Sequence, residues 1–386
     1  MRTIAVVSVA RSDYGIYIPL LRAIQREPEL KLHLIAAGMH LSPEFGHTVD
    51  MISADGFPIG DRVEMLLSSD TPAGVAKSMG LGVIGFAESY ARLRPDILVA
   101  LGDRFEMHAA VVAALPFKIP VAHIHGGELT FGAIDDALRH SITKLSHLHF
   151  TSTREYADRV IQMGEEPWRV IASGAPGLDN LANTELLNCQ ELEGRFGFHL
   201  SSPPLLITYH PVSLELEDTE RQIANFLAAL ETVEAPLVFT MPNADAGGRL
   251  LGRRIVDFVE RHQNAFYVEN LGTQAYFSLM KLAGAMAGNS SSGIIEAASF
   301  QLPVVNVGNR QAGRVRARNV IDTDYTQAAI EQGLRTALSS DFRASLHDLT
   351  NPYGGGRAAE TIVRRLKEEP LGDRLLIKRF HDQVHA

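Results

Sequence analysis

The chain has 386 residues, 46% hydrophobic and 21% charged, with a mean hydropathy near zero; this balance excludes wholesale disorder, a collagen repeat and a coiled coil, and the length suggests two domains. Lys and Arg number 36 against 45 Asp and Glu, a net charge of −9, so the chain carries no basic surplus and a nucleic acid is not expected as a partner. One cysteine, Cys189, cannot form an intrachain disulfide, and no run nears the ~18 apolar residues that span a bilayer, so a cytoplasmic protein without membrane contact is expected.

The N-terminal stretch MRTIAVVSVARSDYG is interrupted by Arg11 before it reaches the length of an export signal. Residues 3–9, 31–37, 97–101, 120–123, 149–151 and 169–172 are short runs rich in Val, Ile and Leu, closed by polar residues or Gly. Continuous apolarity, rather than strict alternation, marks strands of a parallel sheet buried on both faces. Helical patterns at 17–26, 75–93 and 104–114 fall between them, which is the rhythm of a doubly wound α/β domain. The mostly polar stretch 180–202 follows, and the rhythm then returns. Strands are predicted at 204–209, 235–240, 265–268, 284–287 and 304–307, and helices at 219–230, 250–263, 273–282 and 292–300. The tail 374–381 reads as a last helix. The expected architecture is α/β, two Rossmann-like doubly wound domains: residues 1–175, and residues 176–370, with a C-terminal helix in 371–386 packing back on the first. Two such halves imply a ligand cleft at the carboxyl ends of the strands.

Gly80-Leu81-Gly82-Val83-Ile84-Gly85 matches the dinucleotide fingerprint GxGxxG, and Asp103 falls ~20 residues on, where a ribose-binding acid would sit. The fingerprint must follow a strand directly, whereas here it follows SSDTPAGVAKSM, a loop and helix pattern. Glycines on a helix face packed closely against a neighbour are the better reading, and no nicotinamide cofactor is expected.

The segments after the predicted strands concentrate chemistry. Arg11-Ser12-Asp13-Tyr14-Gly15 follows the first, Gly102-Asp103-Arg104 the run 97–101, and His125-Gly126-Gly127-Glu128 the run 120–123, with Asp135, Asp136, Arg139 and His140 shortly after. A lone Asp after a strand is more often a helix cap than a catalyst, but acids, bases and a Gly-Gly pair gathered at several strand ends favour a site. In the second half, Gly288-Asn289-Ser290-Ser291-Ser292-Gly293 joins a strand to a helix, a phosphate-cradle arrangement of free backbone N–H groups and hydroxyls. Arg310 and Arg314 follow the next strand, Glu296 lies about one turn into the helix, and His210 and Asn243 also follow predicted strands. His123 and His125 are spaced to share one face of a strand, but no HExxH motif or Cys cluster accompanies them, so no metal is expected. A Gly-x-Ser-x-Gly nucleophile elbow is missing.

With these motifs in view, the chain resembles the hydrolysing UDP-N-acetylglucosamine 2-epimerases, especially the bacterial branch that makes sialic-acid and related nonulosonic-acid precursors. The motifs ARSDYG, GMHLSPEFG, LGDRFE, HIHGGE, DDALRHSITKLSHLHF, YHPVSLE, PNADAGGR, GNSSSGIIE, NVGNRQAGR and NPYGGG carry the resemblance over nearly the whole length. It implies a GT-B type fold, a reaction that takes UDP-GlcNAc and water to UDP and N-acetylmannosamine through a 2-acetamidoglucal, no cofactor, and a homodimer or homotetramer. It also implies site residues. Asp103, Glu128, Asp135, His125 and His210 are candidates for catalysis. Arg11, Arg104, Asn243, Leu271, Ser290, Ser291, Glu296 and Arg310 are candidates for holding the UDP-sugar, with the serines on the diphosphate and Glu296 on the ribose. A sizeable part of the family has HIEGGE, a catalytic Glu where this chain has His125, and the animal enzymes have Ser at Gly15 and a basic pair at Glu269-Asn270, the last used in feedback binding. The same reaction on a UDP-2,4-diacetamido-2,4,6-trideoxyhexose is the nearest alternative. A non-hydrolysing epimerase, a GT-B glycosyltransferase and a UDP-sugar sensor are the others.

Overall fold

The structure, a computed structural model, describes residues 1–69, 71–130, 134–240, 248–269 and 271–382. The chain divides into two units, Met1–Ala182 with Tyr353–Ala386, and Asn183–Pro352. Each is built on one parallel sheet.

In the first unit the strands are β1 (Arg2–Ser8), β2 (Leu30–Ala37), β3 (Ile59–Val63), β4 (Ile97–Leu101), β5 (Val121–Ile124), β6 (Leu148–Thr151) and β7 (Val170–Ala172). They lie side by side in the order β3-β2-β1-β4-β5-β6-β7. Because side chains alternate along a strand, the run Ile4-Ala5-Val6-Val7 sends Ile4 and Val6 to one core and Ala5 and Val7 to the other. The first core is covered by Tyr17, Leu20, Leu21 and Ile24 of the helix Arg11–Arg26, and by Ala359, Ile362, Val363 and Leu366 of the helix Ala358–Glu368. The spacing of the last four puts them on a single helical stripe. Phe86 and Tyr90 of the helix Pro72–Leu93, with Met107, Ala110 and Val111 of Phe105–Ala114, cover the opposite core.

The second unit repeats the plan with β8 (Leu205–Thr208), β9 (Leu237–Thr240), β10 (Ala265–Val268), β11 (Ala285–Gly288), β12 (Val304–Val307) and β13 (Val320–Thr323), in the order β10-β9-β8-β11-β12-β13. Ile223, Phe226, Leu227 and Leu230 of the helix Thr219–Leu230 pack on Leu205, Ile207 and Phe239 of this sheet. No helix among the described residues is long and apolar enough to cross a membrane.

Several elements differ from the sequence reading. Strands β3 and β13 were not expected; both are sheet edges, where charged Asp61, Arg62 and Asp322 are tolerated and no continuous apolar run is needed. The helices Gly177–Ala182 and Ala358–Glu368, whose residues fall in the span 176–370 expected for the second domain, pack with Arg11–Arg26 in the first unit instead. The predicted helix 292–300 is a short helix, Ser291–Ile295, followed by a 3-10 turn, Ala297–Phe300. Gly80–Gly85 lies inside the helix Pro72–Leu93, and a Cβ on Gly82 or Gly85 would sit 2.5 Å from Met65 or 2.7 Å from Val63.

The tail is helical only over Asp373–Leu376, and hydrogen bonds to backbone carbonyls hold it to the first unit. Buried Arg169 donates to the carbonyls of Arg374 (2.9 Å), Leu375 (2.8 Å) and Ile377 (3.0 Å). Lys378 donates to the carbonyls of Lys144 and Ser146 and lies 2.8 Å from the fully buried carboxylate of Glu165. Burial alone would raise the Glu165 pKa, but His149, Lys144 and Lys378 outweigh it and bring it down to about 2. A lowered carboxyl stabilises the fold above its unfolded value of 4.5, and that contribution is lost as pH falls towards 2. Glu165→Gln is therefore expected to cost about 3 kcal/mol at neutral pH, since it removes the carboxylate facing the largely enclosed Lys378, with the difference from the unsubstituted protein shrinking below pH 4.5. Urea unfolding followed by the fluorescence of Trp168, the one tryptophan, reads this unit, because the ring packs against Arg169 and Arg374.

Candidate active site

A parallel sheet of this kind binds ligands at the carboxyl edge, where the strand order reverses and neighbouring connections leave on opposite faces. In the first unit the reversal lies between β1 and β4, and in the second between β8 and β11. The candidate residues are distributed around these two points.

In the first unit Arg11 opens the helix Arg11–Arg26 and is exposed. Asp13, two residues on, is structural: its buried carboxylate accepts from the backbone N–H groups of Val9 (2.8 Å) and Ala10 (2.9 Å) and closes the helix start. Asp103 follows β4 and is paired with Arg139 of the helix Ile134–Leu145. Arg139 is buried and also donates to Thr130 Oγ1 at 2.9 Å. Burial raises the Asp103 pKa; the Arg139 charge opposes this, while the neighbouring Asp135 and Glu128 carboxylates add to it. The net result is a carboxyl that holds its proton to higher pH than an ordinary Asp. Arg104 turns from Asp103 towards buried Glu106, donating through Nη2 at 3.1 Å, and its Nη2 lies 3.2 Å from Met39 Sδ. A cavity of about 450 Å³ opens beside it, walled by apolar Met39, Phe45, Leu66 and Phe105 and by polar Ser68, Ser69, Glu44 and Glu106 together with Arg104.

Strand β5 ends at Ile124, and His125 adopts a left-handed backbone with φ +65°. The strand alternation is broken there, so His123 and His125 do not form the same-face pair that their spacing suggests. His123 is fully buried, and burial pushes its pKa down to about 3. Its neutral ring donates from Nε2 to the Gly102 carbonyl at 2.8 Å and accepts at Nδ1 from Thr143 at 3.1 Å, which fixes the peptide just before Asp103. His125 Nδ1 lies 2.5 Å from Glu128 Oε1, and Ser152 Oγ donates to the same oxygen at 2.7 Å. Gly127, φ +80°, lets this turn lie against the next helix, since a Cβ there would sit 2.4 Å from the Tyr156 carbonyl.

In the second unit Gly288 ends β11 with φ +133°, and a Cβ on it would stand 2.0 Å from the Thr208 carbonyl. Asn289 then ties the elements together. Its side chain accepts from the His210 N–H (2.7 Å) and donates to the His210 carbonyl (2.8 Å), while its own carbonyl accepts from Arg310 (3.2 Å) and Gln311 (2.8 Å). Ser290 caps the helix Ser291–Ile295 and accepts from the Ser292 N–H. Burial raises the pKa of the Tyr276 hydroxyl, which is hydrogen-bonded to Thr208, Ser292 and Ser290 and feels the Glu296 charge. Leu271 is buried at the start of the helix Gly272–Leu282. Asn243 and Asn270 lie outside the described residues.

The structure thus groups Asp103, His125, Glu128 and Asp135 in the first unit, and His210, Ser290, Glu296 and Arg310 around Asn289 and Tyr276 in the second. The sequence reading names His123, Arg139 and Asn289 without giving them a site role, and it misses Ser152 and Tyr276, which carry no local signal. Among the described residues no group of three or more His, Cys, Asp or Glu side chains is placed to hold a metal ion.

The family model for UDP-N-acetylglucosamine 2-epimerase matches residues 22–367. The chain belongs to the UDP-N-acetylglucosamine 2-epimerase family. It is 39% identical to the GDP/UDP-N,N'-diacetylbacillosamine 2-epimerase (hydrolyzing) of Campylobacter jejuni over 99% of each chain. It is also 37% identical to the UDP-N,N'-diacetylbacillosamine 2-epimerase (hydrolyzing) of Legionella pneumophila, over 98% of this chain and 99% of that one. The structure of the Neisseria meningitidis UDP-GlcNAc 2-epimerase bound to UDP-GlcNAc shares the fold, with a TM-score of 0.80 at 20% identity over 96% of this chain and 100% of that one.

The close approach at Gly288 gives a direct test of how the second group is built. Gly288→Ala is expected to lower the stability of the second unit by about 2–3 kcal/mol, because the backbone must move to admit the Cβ. A calorimetric transition of that unit unchanged within 0.5 kcal/mol, on the order of an ordinary surface substitution, would contradict the packing described.

Proposed function

We propose that the protein is a hydrolysing 2-epimerase of a UDP-linked 2-acetamido sugar. The observation that carries this reading is Asp103, a carboxyl raised by burial beside two further carboxylates at a strand end next to the order reversal. Removing a proton from sugar C2 is hard because no carbonyl adjoins it. Departure of UDP from C1 develops positive charge there and acidifies the C2–H bond. A base takes that proton, leaving a 2-acetamidoglucal. Water then adds its hydroxyl to C1, and a proton returns to C2 from the opposite face. The sum is UDP-sugar plus water giving UDP and the free 2-epimer, with no electron transfer. The chemistry calls for two proton-handling groups and for donors on the leaving diphosphate. Asp103, Asp135 and the His125–Glu128 pair are the proton-handling groups in this reading. Arg11, Arg104, His210, Ser290, Ser291 and Arg310 hold the diphosphate, Glu296 the ribose and Leu271 the base.

Two substrates suit this reaction. The names of the Campylobacter and Legionella relatives favour a UDP-2,4-diacetamido-2,4,6-trideoxyhexose, and the cavity beside Arg104 offers both apolar side chains (Met39, Phe45, Leu66) for a C6 methyl and hydroxyls (Ser68, Ser69) for a second acetamido group. The second reading is UDP-GlcNAc, which the Neisseria structure holds. Offering each nucleotide sugar in deuterated water and recording UDP release and deuterium at C2 decides between them. UDP accumulating with a deuterated free sugar is the expected result; an intact epimerised nucleotide sugar, or release without deuterium, overturns the reading. Asp103→Asn is expected to lower kcat by about 10³-fold while UDP still binds, as loss of an acid/base group does.

A further inference from the structure

The loop after β5 contains a carboxylate and an imidazole, and both cannot act in the same way. Glu128 Oε1 receives two short contacts, from His125 Nδ1 at 2.5 Å and from the Ser152 hydroxyl at 2.7 Å. Both side chains are nearly enclosed, with His125 12% and Glu128 6% exposed. A carboxylate oxygen can only accept, so the imidazole proton facing it sits on Nδ1. The opposite ring nitrogen, Nε2, is buried and has no hydrogen-bond partner among the described residues. A buried, unpartnered ring nitrogen is costly to keep unless something visits it. The backbone holds this orientation: the left-handed turn at His125 is pinned by its N–H donating to the Phe150 carbonyl at 3.0 Å, and Arg159 grips the Gly127 carbonyl from the helix Arg154–Gln162.

We propose that His125 is the proton-transferring group of this loop, acting through Nε2, and that Glu128 and Ser152 are positioning residues acting through it. This rests on the 2-epimerase reading above and assigns roles within it. The logic is that of a base oriented by a carboxylate on its far nitrogen. Glu128 fixes the tautomer and supports the charged ring, and Ser152 fixes Glu128. Glu128 on its own turn touches the ring and His123 on β5 feels it; the charged groups on the elements packed against this loop are Asp103 after β4, Asp135 and Arg139 on Ile134–Leu145, and Arg159 on Arg154–Gln162. His123 is neutral and Arg139 is matched by Asp103, so Glu128 is the group whose loss changes the ring most.

A double-mutant cycle tests this. His125→Gln is expected to lower kcat by about 10³-fold, and Glu128→Gln, which keeps the shape and removes the charge, by about 10–100-fold with KM nearly unchanged. Removing the carboxylate disfavours the imidazolium, so the acidic limb of the kcat/KM profile moves to lower pH in Glu128→Gln. Ser152→Ala moves it in the same direction by less and serves as a second, milder variant should Glu128→Gln fold poorly. On the His125→Gln background, Glu128→Gln is expected to cost nothing further, because its partner is already gone. If the two losses multiply, or if Glu128→Gln alone matches His125→Gln with no movement of the limb, Glu128 transfers the proton itself and the inference is overturned. Wild-type turnover is measured first. A protein that releases no UDP from either nucleotide sugar overturns the functional reading, and an active protein with an additive cycle overturns only this one.

Discussion

A parallel strand buried on both faces admits a polar side chain along its length only where a fixed partner satisfies it, as Thr143 and the Gly102 carbonyl satisfy His123 of β5, and this constraint shapes much of the chain. Each of the central strands β1, β4 and β5 sends apolar side chains to two cores. Polar chemistry is therefore displaced to the strand ends, where the backbone leaves the sheet and has peptide groups to satisfy. Asp103, His125, Glu128 and Ser152 all stand within four residues of a strand end of the first sheet, and His210, Asn289 and Ser290 within two residues of one in the second. The sheet order then decides which ends become neighbours. The reversals between β1 and β4, and between β8 and β11, bring together residues far apart in the chain, as in Asp13 and Arg104, whose charges attract.

Displacement to the edge does not leave these groups in water. Asp103 is enclosed enough that burial dominates its ionisation, even with Arg139 beside it. The guanidinium keeps the carboxyl in place while Asp135 and Glu128 counter part of its effect. A group poised in this way keeps its proton to higher pH than one on an open surface. The fully neutral His123 makes the complementary contribution: it bears on the same loop through a carbonyl hydrogen bond and adds no charge.

Much of this arrangement was legible in the amino-acid order. The interior strands announce themselves as unbroken runs such as Ile97–Leu101, and the residues after them were the candidates because a strand end is where a polar residue has a reason to be. What escaped notice had physical causes. β3 and β13 carry Asp61, Arg62 and Asp322 because an edge strand has an open side, so they lack the interior signature. The His123–His125 pairing was misread because one left-handed residue resets the alternation. Arg139 sits on a helix and meets Asp103 only through the fold. The pattern 374–381 suggests a helix, yet the helix ends at Leu376, and the segment is held by Arg169 on the carbonyls of Arg374, Leu375 and Ile377 and by the Lys378 side chain, interactions that the periodicity of side chains does not register.

The arrangement of Arg169, Glu165 and Lys378 also bears on how the molecule is made. The first unit draws its last covering helix, Ala358–Glu368, and its clasp at Lys378 from the far end of the chain. During synthesis the ribosome must therefore deliver every residue of the second unit while one side of the first sheet still waits for Ile362, Val363 and Leu366. The second unit is contiguous and has no such wait. Synthesis thus imposes an order of maturation, in which the later-encoded unit is complete before the earlier one can close.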